Sequence, residues 1–179
     1  DNNTPRTLLV QRVSIHDFQK NAIAYVTADA SSVLTVNTLD SVIAGHGSTN
    51  VTAQNGVQYY QQAGLLTGMV SGNTISGIAY DNTASSTKWV ASSILNYYAD
   101  LDIVGNTITG AHAAIYNYDG SARIIGNSVQ VIHAALTSTD GYGIIATDPP
   151  GAVPSPYEDE APMAFAASSM FSGATPGVL

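Results

Sequence analysis

One part of this chain is followed by a copy of itself, at an offset of about 21 residues. The residues VGNTI at 104–108 return as IGNSV at 125–129, and HAAI at 112–115 returns as HAAL at 133–136. Self-similarity with a period of roughly 20 to 35 residues is typical of a solenoid, in which each repeat forms one turn of the chain. The repeat therefore predicts a fold built by stacking rather than one formed around a single unrepeated core.

Looser copies of the repeat precede this pair at longer intervals. Their leading valines are Val10, Val36 and Val70, which lie upstream of Val104. The first interval is about 26 residues, and the next two are about 34 residues each. The last of them exceeds the basic period by roughly 13 residues, which predicts a loop around residues 81–88. The body of the chain is thus expected to keep one coil geometry while its loops vary in length.

A repeat of about 21 residues is long enough for a coil of two or three short strands joined by tight turns. Residues 6–147 carry short runs of Val, Ile, Leu and Tyr broken by Gly, Asn, Asp and Ser, which is the pattern of such strands. We therefore predict an all-β fold, a right-handed parallel β-helix (a β-solenoid) of about five to six coils over residues 1–147.

The register of the repeat also predicts which side chains stack on neighbouring coils. In the core we expect Val104 beneath Ile125, Ile108 beneath Val129, and Ile115 beneath Leu136. At one corner, Gly-Asn pairs recur because both residues tolerate a positive φ. Their amides, Asn73, Asn106 and Asn127, are predicted to form a structural ladder of hydrogen bonds.

Proline separates the body of the chain from its last segment. Pro5 is followed by no proline until Pro149, and residues 148–179 are rich in Pro, Ala and Ser. We predict an extended C-terminal arm there, in which the apolar residues between 163 and 171 either form a short docking helix or stay undocked. The residues expected to take part in assembly are Met163, Phe165, Met170 and Phe171.

Composition excludes several classes of function. The chain has 13 acidic and five basic residues, a net charge of −8 and no cysteine. An acidic surface with so few cations argues against a nucleic-acid partner and against anionic membranes. No apolar run approaches the roughly 18 residues needed to span a bilayer, so no membrane span is expected. The low share of charged residues, 10%, and the start at Asp1 favour a processed protein that is secreted or lies at the cell surface.

The motifs of this chain resemble those of a known family. The pieces GNTI at 72–75 and 105–108, GNSV at 126–129 and AQNGVQ at 53–58 are similar to the right-handed parallel β-helix repeats of the pectate-lyase-like superfamily. The resemblance covers residues 6–147 and implies the fold. It selects no single activity, because such repeats occur in lyases, hydrolases, epimerases, phage spikes and adhesins. Members are usually longer, which implies self-assembly or the remainder of a longer β-helix chain.

An enzyme is the alternative to a structural protein. In the resembling lyases an Arg or Lys serves as the base beside carboxylates that hold a cation against the substrate. The matching candidates here are Asp100, Asp102, Asp119 and Arg123. This alternative is a polysaccharide lyase or glycoside hydrolase, or a fragment of one, acting on an acidic polysaccharide. No cofactor is expected otherwise, although Asp100 and Asp102 occupy alternate positions, a spacing that suits Ca²⁺.

No other metal site is predicted. The register of the repeat would stack His112 and His133 on neighbouring coils, but two imidazoles are too few ligands for a zinc site. A hydrolase site at Gly45-His46-Gly47 lacks the neighbouring acidic and basic residues of the resembling enzymes, so we interpret that motif as a turn.

Tyrosine is the most unusual feature of the composition, with ten residues in the chain. We expect several of them to point outward from neighbouring coils and to form a flat aromatic strip. Such a strip suits a protein interface or the stacking of sugar rings, and it also suits a structural cover for turns and sheet edges. The candidates are Tyr59, Tyr60, Tyr97, Tyr98, Tyr116 and Tyr118.

These features together lead to a first hypothesis about function. We expect a noncatalytic extracellular β-solenoid, a structural or adhesive module that forms homo-oligomers or continues a longer chain. The enzyme is the first alternative, and a carbohydrate-binding module is the second. Open first and last coils are the feature on which the leading hypothesis depends, because all backbone pairing in such a fold runs between coils.

Overall fold

A computed structural model describes residues 4–81, 89–132 and 141–147 of the chain. These residues form fifteen β-strands and no helix. The first sheet contains β1 (Arg6–Gln11), β4 (Val33–Leu39), β7 (Leu65–Ser71), β10 (Asp100–Val104) and β13 (Ser121–Ile125). The second contains β2 (Ser14–His16), β5 (Val42–Thr49), β8 (Thr74–Tyr80), β11 (Thr107–Ala111) and β14 (Ser128–Val131). The third contains β3 (Asn21–Thr27), β6 (Asn55–Gln61), β9 (Ser92–Tyr97), β12 (Ala113–Tyr118) and β15 (Tyr142–Thr147).

Each consecutive trio of strands makes one coil, and five coils stack to give three five-stranded parallel sheets. Every strand pairs with the strand of the same sheet in the next coil, for example β4 with β1 on one side and with β7 on the other. The predicted parallel β-helix is confirmed. The arm at 148–179, with its four assembly residues and its docking helix, lies outside the described residues.

The strand register confirms one repeat interval and corrects the others. Asp100 lies opposite Ser121, which is the predicted spacing of the last two coils. Val104 pairs with Ser71 rather than Val70, so the interval between the third and fourth coils is one residue shorter than predicted. Val36 pairs with Leu8 and Gly68 rather than with Val10 and Val70. The first two intervals are therefore each wrong by two residues. An error of two residues keeps a side chain on the same face of its strand, whereas an error of one moves it to the opposite face.

The core fills the space enclosed by the three sheets. One column of it comes from the third sheet, where Ile23, Val57, Ile94 and Ile115 lie on successive coils. Tyr59 also points inward, and its hydroxyl donates a hydrogen bond to the carbonyl of Val36 at 2.9 Å. Gly68 leaves room for this ring, because a Cβ atom there would overlap the Val36 carbonyl oxygen and crowd the Tyr59 ring.

Two of the three predicted core pairs are wrong. Val104 does lie opposite Ile125, but Ile125 is exposed, and the inward positions belong to Ile103 and Ile124. Ile115 pairs with Ile144 rather than with Leu136, and residues 133–140 lie outside the described ranges. The sequence similarity at 133–136 therefore does not mark the strand that continues the third sheet.

The predicted asparagine ladder is present at the corner between the first and second sheets. The Nδ2 of Asn73 donates to the Oδ1 of Asn106 at 2.9 Å, and the Nδ2 of Asn106 donates to the Oδ1 of Asn127 at the same distance. Each accepting oxygen also receives the backbone N–H of the asparagine before it, at 3.0 and 2.9 Å. Ser41 occupies the equivalent position one coil earlier, with its N–H donating to the Oδ1 of Asn73 at 2.9 Å. The ladder thus satisfies buried backbone groups where the chain turns.

Replacing Asn106 by alanine is expected to lower the free energy of unfolding by about 3 kcal/mol, since it removes a buried hydrogen-bonded side chain. The substitution leaves the N–H of Asn73 and the carbonyl of Val70, which accepts from Nδ2 at 2.9 Å, without these bonds. Urea denaturation measures the change. The neighbouring exposed residue gives the control: Thr107→Ala should change the free energy by less than about 0.5 kcal/mol. Equal losses in the two variants would show that the ladder contributes nothing.

Candidate functional site

The candidate acidic and basic residues lie mainly on the outer face of the first sheet. Asp100 and Asp102 occupy alternate positions of β10, and Asp102 lies opposite Arg123 of β13. The guanidinium holds the carboxylate with two hydrogen bonds, Nε to Oδ1 at 2.7 Å and Nη2 to Oδ2 at 2.8 Å. Asp119 does not share this face. It lies at the corner before β13, with a positive φ of 49°, and its N–H donates to the carbonyl of Thr147 at 2.8 Å.

The electrostatics of the Asp102–Arg123 pair favour the charged form of both groups. The hydrogen bonds from Arg123 lower the pKa of Asp102, and those to Asp102 raise the pKa of Arg123. A base must give up its proton to act, so this contact opposes the role that a lyase would require of Arg123. Both oxygens of Asp102 already accept bonds, which leaves this carboxylate poorly placed to hold Ca²⁺. The pair links two coils through an exposed contact.

The described ranges were expected to hold no metal site other than the Ca²⁺ candidate at Asp100 and Asp102. No group of three or more His, Cys, Asp or Glu residues there is placed to hold a metal ion. His112 is buried, and its ring stacks on that of Tyr142 with centroids 6.2 Å apart and planes at 27°. His133, its predicted partner, lies outside the residues that the structure describes.

Four of the six candidate tyrosines lie together on the outer face of the third sheet. Tyr60, Tyr97 and Tyr118 occupy one column of successive coils, and Tyr116 lies in the adjacent column with Leu95. The ring of Tyr97 is central. Its centroid lies 5.7 Å from that of Tyr60, 6.4 Å from that of Tyr116 and 5.0 Å from that of Tyr118. The register therefore gathers an aromatic cluster, although its members are far apart in sequence.

The other two candidates have different positions. Tyr59 points into the core, as described above, and is not part of the outer face. Tyr98 lies at the corner after β9 with a positive φ of 65°, and its ring meets that of Tyr118 edge-on at 5.7 Å. The adjacent residues Tyr59 and Tyr60 thus lie on opposite faces of β6, because successive side chains in a strand alternate.

Four of the six tyrosines point outward from neighbouring coils as predicted, but they do not form an accessible flat strip. Tyr60 and Tyr116 are each only 1% exposed, and Tyr97 and Tyr118 are buried as well. Leu95, Ala113 and Ile145 belong to the same buried cluster as these four tyrosines; we call this set of seven residues the outer cluster.

We missed a sequence signal for this burial. The strand SSILNY at 92–97 and the strand YGIIAT at 142–147 carry apolar residues at adjacent positions, Ile94-Leu95 and Ile144-Ile145. A strand that is apolar at both alternating positions is typical of one buried on both faces. This signal is not specific to the third sheet, because β13 also carries adjacent apolar residues, Ile124-Ile125, and Ile125 is exposed.

The two ends of the β-helix expose residues of the core columns. In the first coil Leu8 takes an inward position opposite Val36, yet it is 45% exposed. In the last coil Ile144 continues the column of Ile115, yet it is 50% exposed. Both side chains are accessible because, among the described residues, no further coil lies beyond them.

Comparison with known protein families, with curated proteins and with solved structures gives no match for this chain. In the described ranges there is no helix of sufficient length and hydropathy to cross a membrane. Any functional proposal therefore rests on the geometry of the outer cluster, of the Asp102–Arg123 pair and of the two coil ends.

Burial raises the pKa of Tyr116 from 10.0 to about 12, so its contribution to stability depends on pH. The folded chain keeps this phenol protonated to higher pH than the unfolded chain does, and stability should fall as pH rises from about 10 to about 12. Tyr116→Phe removes this titrating group. The free energy of unfolding should then fall less steeply, by about 1.4 kcal/mol per pH unit, which is the slope that one bound proton contributes. Urea denaturation at several pH values measures both slopes, and equal slopes would contradict the burial of this phenol.

Proposed function

We propose that this chain is a noncatalytic structural module of a β-solenoid assembly, acting outside the cell or at its surface. The observation that carries the proposal is the pair of open coil ends, where Leu8 and Ile144 expose the ends of core columns. An exposed strand edge with apolar inward residues is a template for further strands. The preferred occupant is a second copy of this chain, and flanking coils of a longer chain would occupy the ends in the same way.

The two ends match when the register is continued from one copy to the next. The isoleucine column of the third sheet would place Ile23 of one copy on Ile144 of the other. In the first sheet, Leu8 would lie on Ala122, and Arg6 would lie beside the exposed carboxylate of Asp119. Apolar and charged groups are then complementary across the contact.

Such a contact joins unlike surfaces, the first coil of one copy and the last coil of another. When the copies joined by such contacts are related by a translation along one axis, they do not close into a ring. They form an open filament instead. The low share of charged residues is consistent with a surface of short strands and turns, and it is the basis for the proposed extracellular location. We also propose that the chain is related to the pectate-lyase-like superfamily, whose repeats its motifs resemble.

The two alternatives receive less support from the geometry. A lyase would need Arg123 as a base, whereas Asp102 holds it in its charged form. A carbohydrate-binding module would need accessible aromatic faces, whereas the outer cluster is buried. The acidic, low-charge surface and the open ends fit the structural module without further assumptions.

A positive charge at one coil end should weaken association. We expect Ile144→Lys to raise the dissociation constant of self-association at least about tenfold, which corresponds to roughly 1.4 kcal/mol for a charge forced against an apolar column. The matched control is Val42→Lys, which adds the same charge at an exposed position on the second sheet and should leave association unchanged. Sedimentation equilibrium over a concentration series measures all three proteins.

Three outcomes would count against the proposal. A native chain that stays monomeric at every concentration would contradict self-assembly, and an equal effect of both substitutions would show that the coil end is not the contact. Release of unsaturated sugars from an acidic polysaccharide, abolished by Arg123→Ala, would replace the structural module by a lyase.

A further inference from the structure

A long stretch of the chain, residues 41–80, contains no Asp, Glu, Lys or Arg. It supplies β5 to β8, which are four of the six strands of the second and third coils. Three large apolar side chains of this stretch are nevertheless exposed, Val42, Val51 and Leu65. A surface with apolar side chains and no charges tends to associate with other surfaces, because nothing on it repels them.

The corner between β5 and β6 lies within this uncharged stretch and carries the motif Asn50-Val51-Thr52. An asparagine followed two positions later by Ser or Thr is the acceptor sequence for N-linked glycosylation. The chain has one other such motif, at residues 2–4, and its asparagine lies outside the described residues. Asn50 is therefore the one acceptor asparagine in the part of the chain that the structure describes.

The groups that this modification requires are accessible and uncommitted. Asn50 is exposed, and its side-chain amide makes no hydrogen bond to any described residue. Asn73 and Asn106 differ in both respects, because they are buried and their amides form the ladder. Thr52 is partly exposed, and its hydroxyl also makes no hydrogen bond within the described ranges.

The corner presents this motif on a fixed base. The N–H of Val51 donates to the Oγ1 of Thr49 at 3.2 Å, which bends the chain at the tip. Gln54 fixes the base, because its Nε2 donates to the carbonyl of Phe18 at 2.8 Å and its Oε1 accepts from the N–H of His46 at 3.1 Å. Val51, between the two reacting residues, is 69% exposed. A group attached at the tip therefore displaces nothing in the core.

We propose that Asn50 is a site of N-linked glycosylation and that its glycan solvates the uncharged wall of the second and third coils. The inference rests on the proposed location outside the cell, because a chain meets the glycan donor on a secretory route. The donor is an oligosaccharide carried on a lipid pyrophosphate. The Nδ2 of Asn50 forms a bond to the anomeric carbon while the bond from that carbon to the pyrophosphate oxygen breaks. Nδ2 loses one proton, and the lipid pyrophosphate leaves.

A lateral contact with another protein surface is the competing use of this corner. Such a contact would bury Val51, whereas a bulky hydrated glycan on the preceding residue would obstruct it. The glycan would also supply the hydration that charged side chains provide elsewhere on the surface. Occupancy of Asn50 and solubility of the modified chain are therefore the two quantities to measure.

The test uses the full-length chain, expressed with an added secretion leader in a eukaryotic host cell. Asn2→Gln is present in every variant, so that one acceptor motif remains. Thr52→Val replaces the required hydroxyl by a methyl group of similar size, and Thr52→Ser keeps a hydroxyl and is the matched control. Intact-mass measurement and peptide mapping of protein from cells and medium together give the occupancy of Asn50.

We expect the Asn2→Gln chain and its Thr52→Ser derivative to carry one glycan, located on the peptide that contains Asn50. The Thr52→Val derivative should carry none. The glycosylated chain should stay soluble to roughly twice the concentration at which the Thr52→Val chain precipitates, because the uncharged wall of the latter is unprotected.

Three results would overturn the proposal. Absence of a glycan on Asn50 in the Asn2→Gln chain would remove the site, and a glycan that persists in Thr52→Val would assign the modification to another residue. Equal solubility of the two chains would remove the solvating role. Sedimentation equilibrium of the same samples tests the coil-end contact separately, so a monomeric but glycosylated chain would count against the structural module and not against the site at Asn50.

Discussion

Backbone hydrogen bonds between coils are the interaction on which this structure depends. All pairing in the three sheets joins one coil to the next, so a single coil has no partner within itself. The asparagine ladder extends this dependence to a corner, where each amide satisfies backbone groups of neighbouring coils. The first and last coils must then either leave a row of backbone groups to water or pair with further strands. The open ends and the exposed Leu8 and Ile144 follow directly from this arrangement.

The sequence predicted those parts of the fold that depend on local repetition. The spacing of the last two coils and the Asn73–Asn106–Asn127 ladder are visible because Gly-Asn corners demand particular residues. Strand positions are less constrained, since any aliphatic residue fills a core column, and the earlier intervals were therefore misplaced by one or two positions. The partner of Ile115 was missed for a related reason: similarity at 133–136 suggested the next strand, whereas the strand that pairs begins at Tyr142.

The candidate sites were predicted less well, because they depend on which face of a strand a residue occupies and on what covers that face. Alternation placed Asp100 and Asp102 on one face, and the 21-residue offset puts Arg123 opposite Asp102, but the two hydrogen bonds that hold the pair were not anticipated. The repeat also led to the expectation that several tyrosines point outward from neighbouring coils. Alternation does not decide whether that face is exposed, and the rings pack with Leu95 and Ile145 in one buried cluster. Within the described residues, the picture is a solenoid with a buried tyrosine cluster on its third sheet and exposed core residues at both ends.

Small-angle scattering over a concentration series tests most directly whether these ends are the contact surfaces. Coil-on-coil stacking predicts that particle length grows by about 24 Å per added copy, the height of five coils at the parallel strand spacing. The radius of gyration of the cross-section should stay constant as the length grows. A cross-section that widens with concentration would indicate side-by-side association, and a particle of constant single-copy size would indicate none. Either result would contradict association through the coil ends.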